Sequence, residues 1–242
     1  MVMPPFCKEL RLAEDRQSTK NRLLDAAENL FAEKDFENVS IRELAAAAQV
    51  NVAAVNYHFQ GKENLFHQVI LRRFVAQRDR TLGALGDLLA ATGGKPRLDQ
   101  VIGILVRQYM EGSLAGPGSA SFMALMARQM QPGHSQTAGP FFREMVAPVF
   151  GSFSRAVLVA RPGLEADQVA WILASVVGQI HHFILRWKKR QDMESDPDSL
   201  QVMLDAFPPL MLPLPAYIEQ VTQHITRFST AAVDGLYPEV AP

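Results

Sequence analysis

Residues 40–62 read SIRELAAAAQVNVAAVNYHFQGK, and this stretch decides the fold. Ser40-Ile-Arg-Glu43 is a capping box: the hydroxyl can accept a backbone N–H and the glutamate can reach back to the cap. The spacing predicts a short helix through Leu44 and the alanine run to about Gln49. Asn51 can cap a second short helix over residues 52–58, and Gly61 ends it. Alanines at 45–48 and at 53 and 54 let two helices cross closely, as the corner of a helix-turn-helix requires.

Working outward, residues 18–34 carry apolar side chains at Leu23, Leu24, Ala27, Leu30 and Phe31, one face of a helix with Ser18 as its cap. A longer helix opens at Lys62 and runs to about Arg80, with Leu65, Phe66, Val69, Ile70 and Phe74 inward. Thr92-Gly-Gly-Lys-Pro96 breaks the chain. Helical segments follow at about residues 98–111, 119–131, 140–160, 165–191 and 215–230, separated by Gly- and Pro-rich connectors. Strand patterns are absent, so the fold class is all-α. The expected organisation is a three-helix helix-turn-helix domain over residues 16–65, a linking helix over 66–80, and a larger helical domain over 81–232.

Composition bounds the function. The 242 residues carry a net charge of -1, so bulk charge gives no argument for nucleic acid, and any such case rests on where the cations stand. The single cysteine, Cys7, excludes an intramolecular disulfide and fits a reducing cytoplasm. Lys8, Glu9 and Arg11 interrupt any signal-peptide core. The longest uncharged run, residues 168–185, contains Gln168, Ser175, Gln179, His181 and His182 and reads as a buried helix rather than a membrane span. No nucleophile elbow, phosphate-binding loop or His-Glu-x-x-His motif occurs; an enzyme, a cofactor and a metal are not expected.

A helix-turn-helix lays its second helix in the major groove while flanking elements hold phosphate. The expected reading helix starts at Asn51. The methyls of Val52, Ala53 and Ala54 suit thymine, and Asn56 and Tyr57 suit a base edge or phosphate. Lys62 and the free N–H groups at the start of its helix attract phosphate, and Thr19 and Lys20 are expected at another helix start. Arg42 either reaches DNA or is a solvated helix charge. His58 either meets phosphate or packs between helices.

The run from Lys20 to Phe74 resembles the TetR-family DNA-binding domain. The resemblance rests on Leu24-Asp-Ala-Ala27, Leu30-Phe31, Val39-Ser-Ile-Arg-Glu-Leu-Ala45, Val55-Asn-Tyr-His-Phe59, Lys62-Glu63 and Leu65. It implies phosphate contacts from Ser40, Tyr57, His58 and Lys62, and base or backbone contacts from Arg42 and the Asn51–Ala54 turn. Many members have Tyr where this chain has Asn56; Asn-Tyr-His-Phe resembles the CecR-like subgroup. The resemblance further implies a homodimer through two late helices, around residues 169–184 and 217–228, on a near-palindromic double-stranded operator. It also implies release by an unidentified small effector.

A pocket for a small apolar or amphipathic effector is expected among Phe122, Met126, Phe141, Phe142, Trp171 and His181. The methionines at 123, 126 and 130 suit either core or pocket. His181 and His182 point about 100° apart, which disfavours a shared metal. Arg186-Trp-Lys-Lys-Arg190 is either a solvated helix end or a second nucleic-acid patch. Two rival functions stay open: a ligand-independent activator or DNA-organising protein on the same fold, and a helical module or enzyme that does not bind DNA.

Overall fold

The computed structural model describes residues 5–34, 36–115, 143 and 146–238, and every regular element among them is helical. In chain order these are α1 (Pro5–Glu33), a 3-10 turn (Phe36–Asn38), α2 (Ile41–Ala47), α3 (Val52–Phe59), α4 (Lys62–Ala91) and α5 (Leu98–Leu114). They continue with α6 (Ala147–Ala160), α7 (Ala166–Asp192), α8 (Pro197–Ala206) and α9 (Leu214–Leu236), with 3-10 turns on either side of α8. The expected helix over 119–131 and most of 140–146 lie outside the described residues. Two compact units result, with the division falling inside α4 between Phe74 and Val75.

The first unit is built round rings and small residues. Leu23, Ala27 and Phe31 of α1, Leu44 and Ala45 of α2, Val55 and Phe59 of α3, and Leu65, Phe66, Val69 and Ile70 of α4 are all buried. Phe66 meets Phe31 edge-on at 4.6 Å and Phe36 at 4.8 Å. Such ring pairs add about 0.5–1.5 kcal/mol each beyond the area they bury. The corner between α2 and α3 relies on Ala45 and Ala48, which are buried, whereas Ala46, Ala47 and Ala53 face solvent. Val69 and Ile70 belong to this core and Phe74 packs against it, so the start of the expected linking helix is part of the first unit. Arg72 bridges Asp25 (2.6 Å) and Glu28, and Arg73 reaches Glu28 at 3.1 Å, which ties α4 to α1.

Helix starts and stops differ from the sequence expectation in instructive ways. Helix α1 begins at Pro5 and passes through Ser18, because the preceding residues hold good helix formers and no breaker. Ser18 is therefore not a cap, Thr19 and Lys20 do not sit at a helix start, and Cys7 lies in a helix. Helix α4 continues past Arg80 to Ala91, where Gly93 (φ +58°) and Gly94 (φ +77°) end it. Helix α8 occupies a stretch expected to be loop: Asp196 caps the Ser199 N–H at 3.3 Å and Pro197 supplies the first-turn φ.

The second unit is a packed set of longer helices. Helix α9 packs chiefly along α5, and α7 packs against α5, α6 and α9. Helix α7 buries Val169, Ile172, Leu173, Val176, Ile180, Ile184 and Trp187, one stripe at helical spacing. By length and hydropathy α7 could cross a bilayer; here its apolar stripe serves a protein core. Tyr217 of α9 is fully buried and its hydroxyl donates to the Phe183 carbonyl at 2.8 Å. Its ring lies 4.6 Å from that of Trp187. Gln179 donates to Ser229 at 3.3 Å, and Arg107 pairs with Glu219.

Candidate nucleic-acid interface

Helix α3 is a short amphipathic rod. Val55 and Phe59, four residues apart, face the core. Val52 (42% exposed), Ala53, Asn56, Tyr57 (64% exposed) and Gln60 face solvent, a continuous stripe at helical spacing. An exposed valine and tyrosine beside Asn56, on a helix whose other face is held in a core, is a surface built for contact. Ala54 and His58 flank the stripe and are half-buried, and the His58 ring meets Tyr57 edge-on at 5.0 Å.

The turn before α3 holds that stripe in place. Asn51 caps the helix: its Oδ1 accepts the Ala53 N–H at 2.9 Å. Ser40 caps α2, its Oγ accepting the Glu43 N–H at 3.1 Å and keeping its own O–H to donate. The Glu43 carboxylate departs from the expected capping box. It pairs with the Lys34 ammonium at 2.5 Å, which holds that carboxyl below its ordinary pKa. Arg42 is exposed on α2. Thr19, half-buried, accepts from the Arg22 guanidinium at 3.4 Å, and Lys20 lies 5.9 Å from the Phe59 ring centre.

Lys62 has a role that its sequence position does not reveal. Its ammonium donates to the Phe36 carbonyl at 2.7 Å and the Val39 carbonyl at 2.8 Å, and lies 4.2 Å from the Phe36 ring centre. Two of its three N–H groups therefore fasten the start of α4 to the turn ahead of α2. Charge reversal at Lys62 would loosen this frame as well as any phosphate contact.

Two family models match the chain: "Bacterial regulatory proteins, tetR family" over residues 23–69, and "Tetracyclin repressor-like, C-terminal domain" over residues 104–212. The chain belongs to the TetR family. A Bacillus subtilis (strain 168) protein named "Probable HTH-type transcriptional regulator YttP" is 32% identical over 85 residues, 35% of this chain and 41% of that protein. The "HTH-type transcriptional repressor Rv1474c" of Mycobacterium tuberculosis (strain ATCC 25618 / H37Rv) is 30% identical over 87 residues, 34% of this chain and 46% of that protein. These matches span less than half the length of either relative. A TetR-family transcriptional regulator from Streptomyces coelicolor shares the fold with a TM-score of 0.52 at 18% identity, over 89% of each chain.

The TetR-type second domain carries the expected effector residues less evenly. Phe122, Met126, Phe141 and Phe142, with Met123 and Met130, lie outside the described residues. Trp171 does not line an interior: it is 72% exposed, because α7 turns its buried stripe to the opposite side. His181 is half-buried, and a hydrogen bond of 2.9 Å joins its Nε2 to the Tyr109 hydroxyl. Burial lowers the pKa of His181 and pushes the Tyr109 phenol up to about 12. His182 turns away and accepts from Arg186 at 2.9 Å.

The basic run at the end of α7 is used for packing. Arg186 stacks 5.1 Å from Phe207 and Arg190 stacks 4.9 Å from Trp187. Burial pulls the Lys188 ammonium down to about 8 against the opposing pull of Asp192. Sequence reasoning missed Tyr109, the Lys62 anchors and the conformation of the residues at either end of α3. None of these leaves a local signal in the chain.

Proposed function

We propose that the chain is a sequence-specific, cytoplasmic DNA-binding transcription regulator of the repressor type. It acts as a homodimer on a near-palindromic operator and is released by a small apolar or amphipathic effector. The observation that carries this reading is the outward stripe of α3, Val52, Ala53, Asn56, Tyr57 and Gln60, on a helix anchored by Val55 and Phe59. Asn51, Ala54, His58, Ser40, Arg42, Thr19 and Lys62 would complete the contact, the polar and charged groups on phosphate and the short apolar ones on base edges. The order Asn56-Tyr57-His58-Phe59 supports placement with the CecR-like regulators.

A dimer is supported by the outer faces of α7 and α9. Trp171, Ala174, Ser175, Gly178, His182 and Leu185 form one exposed stripe on α7, and His224, Phe228 and Ala231 one on α9. Large apolar side chains left in water at helical spacing fit a second copy of the chain. Trp171 belongs to this reading and not to the effector pocket. Tyr109 and His181 give the second unit a polar pair that an amphipathic effector could engage.

Selection of bound sequences from random duplex DNA, at two salt concentrations, tests the proposal. Enrichment of one near-palindrome with half-sites about one DNA turn, roughly 34–36 Å, apart is the expected outcome. Absence of any enriched sequence would overturn it. With the selected duplex, Arg42→Ala should weaken binding about tenfold and lower the salt slope by about one.

A further inference from the structure

Helices α2 and α4 stop in the same way. After α2, the Val50 N–H bonds the Ala45 carbonyl at 2.9 Å and the Gln49 N–H bonds the Ala46 carbonyl at 3.0 Å. After α4, the Gly94 N–H bonds the Leu89 carbonyl at 2.8 Å and the Gly93 N–H bonds the Ala90 carbonyl at 3.3 Å. Both are six-to-one and five-to-two closures, which need a left-handed residue at one position. That residue is Gly93 (φ +58°) after α4 and Gln49 (φ +55°) after α2. Helix α3 also stops on a left-handed glutamine, Gln60 (φ +59°), although Gly61 follows it at once. These two glutamines are the only non-glycine residues with positive φ among the described residues.

A side chain in this conformation crowds its own backbone, and glycine would not. Strain kept where a neutral replacement exists points to a use for the side chain. That use is not internal. Both glutamines are exposed, and neither side-chain amide has a hydrogen bond among the described residues. Gln49 and Gln60 bracket α3, the helix of eight residues that would lie in the major groove. Groups beside a helix seated there are placed to meet the phosphates that flank the groove. An uncharged amide donates well to a phosphate oxygen.

We propose that Gln49 and Gln60 are positioning residues, each donating a side-chain amide hydrogen bond to a DNA phosphate, one at either end of the reading helix. The inference rests on the DNA-binding reading above. The experiment uses the full chain and the duplex recovered by selection, so failure to recover any duplex would defeat that reading, while the variants test this one.

Gln49→Gly and Gln60→Gly should each melt at the wild-type temperature or a few degrees above it, since strain is relieved. Each should nevertheless bind about five- to tenfold more weakly. The loss should be the same across operator variants and leave the salt slope unchanged, because a neutral donor releases no counterion. Gln49→Lys and Gln60→Lys should restore affinity and steepen the salt slope by about one, because the position faces phosphate. Unchanged or tighter binding by the glycine variants, a loss confined to one base pair, or lysine variants with the wild-type salt slope would each overturn the proposal.

Discussion

The stops after α2 and α4 share their hydrogen bonds and their left-handed backbone and differ in one residue, Gln49 against Gly93. Backbone geometry alone asks for glycine at both. The α4 stop obeys; the α2 stop, one turn ahead of the exposed stripe, does not. The difference separates a place where the fold is the only requirement from a place where a side chain must also be presented. It extends to the two units. The first turns Asn56 and Tyr57 outward from a small core of rings, whereas in the second Tyr217 bonds Phe183 and Tyr109 bonds His181.

The largest effect comes from removing the frame on which the contrast depends. Phe66→Ala deletes the ring that meets both Phe31 and Phe36 and should cost about 3–5 kcal/mol. In a denaturant melt the first unit should unfold early, and DNA binding should vanish with it. Gly93→Gln sharpens the comparison from the other side. A Cβ there meets no neighbouring atom within 4 Å, so the left-handed backbone is the main resistance to it. The cost should be about 1 kcal/mol with operator affinity unchanged. The same glutamine that serves binding at residue 49 would be a liability at residue 93.

The smallest effect is a pH dependence confined to the second unit. Burial lowers the pKa of His181, so below about 6.5 the unfolded chain takes up a proton that the folded chain resists. Stability from this group is complete above that value and is lost as pH falls below it. Thermal melts at pH 7.5 and 5.5 should show the second unit shifting downward, and His181→Gln should reduce the shift.

Much of the first unit could be read directly from the chain. Ser40 and Asn51 announce α2 and α3 because a cap is a local event, and Val55, Phe59, Leu65 and Phe66 announce the core through their spacing. What escaped reading depends on distance along the chain or on backbone sign. The partners of Arg72 and Lys62 stand 23–47 residues away. Ser18 satisfies the pattern of a cap yet sits inside a helix, because nothing before it breaks one. On α7 the apolar residues cover so broad a face that spacing does not say which side is inward, and Trp171 reads as interior although it is exposed. The stripe on α3 was legible; the strain at its two ends was not, since glutamine carries no signature of positive φ.

The central claim is that the outward stripe of α3 contacts DNA. Its most direct test is a titration of the selected duplex with wild-type protein and with the Asn56→Ala/Tyr57→Ala double variant, alongside circular dichroism of both. The account predicts an unchanged helical spectrum and a Kd raised about tenfold or more, because both side chains are exposed and buttress no core. A folded double variant that binds the duplex as tightly as the wild type would contradict it.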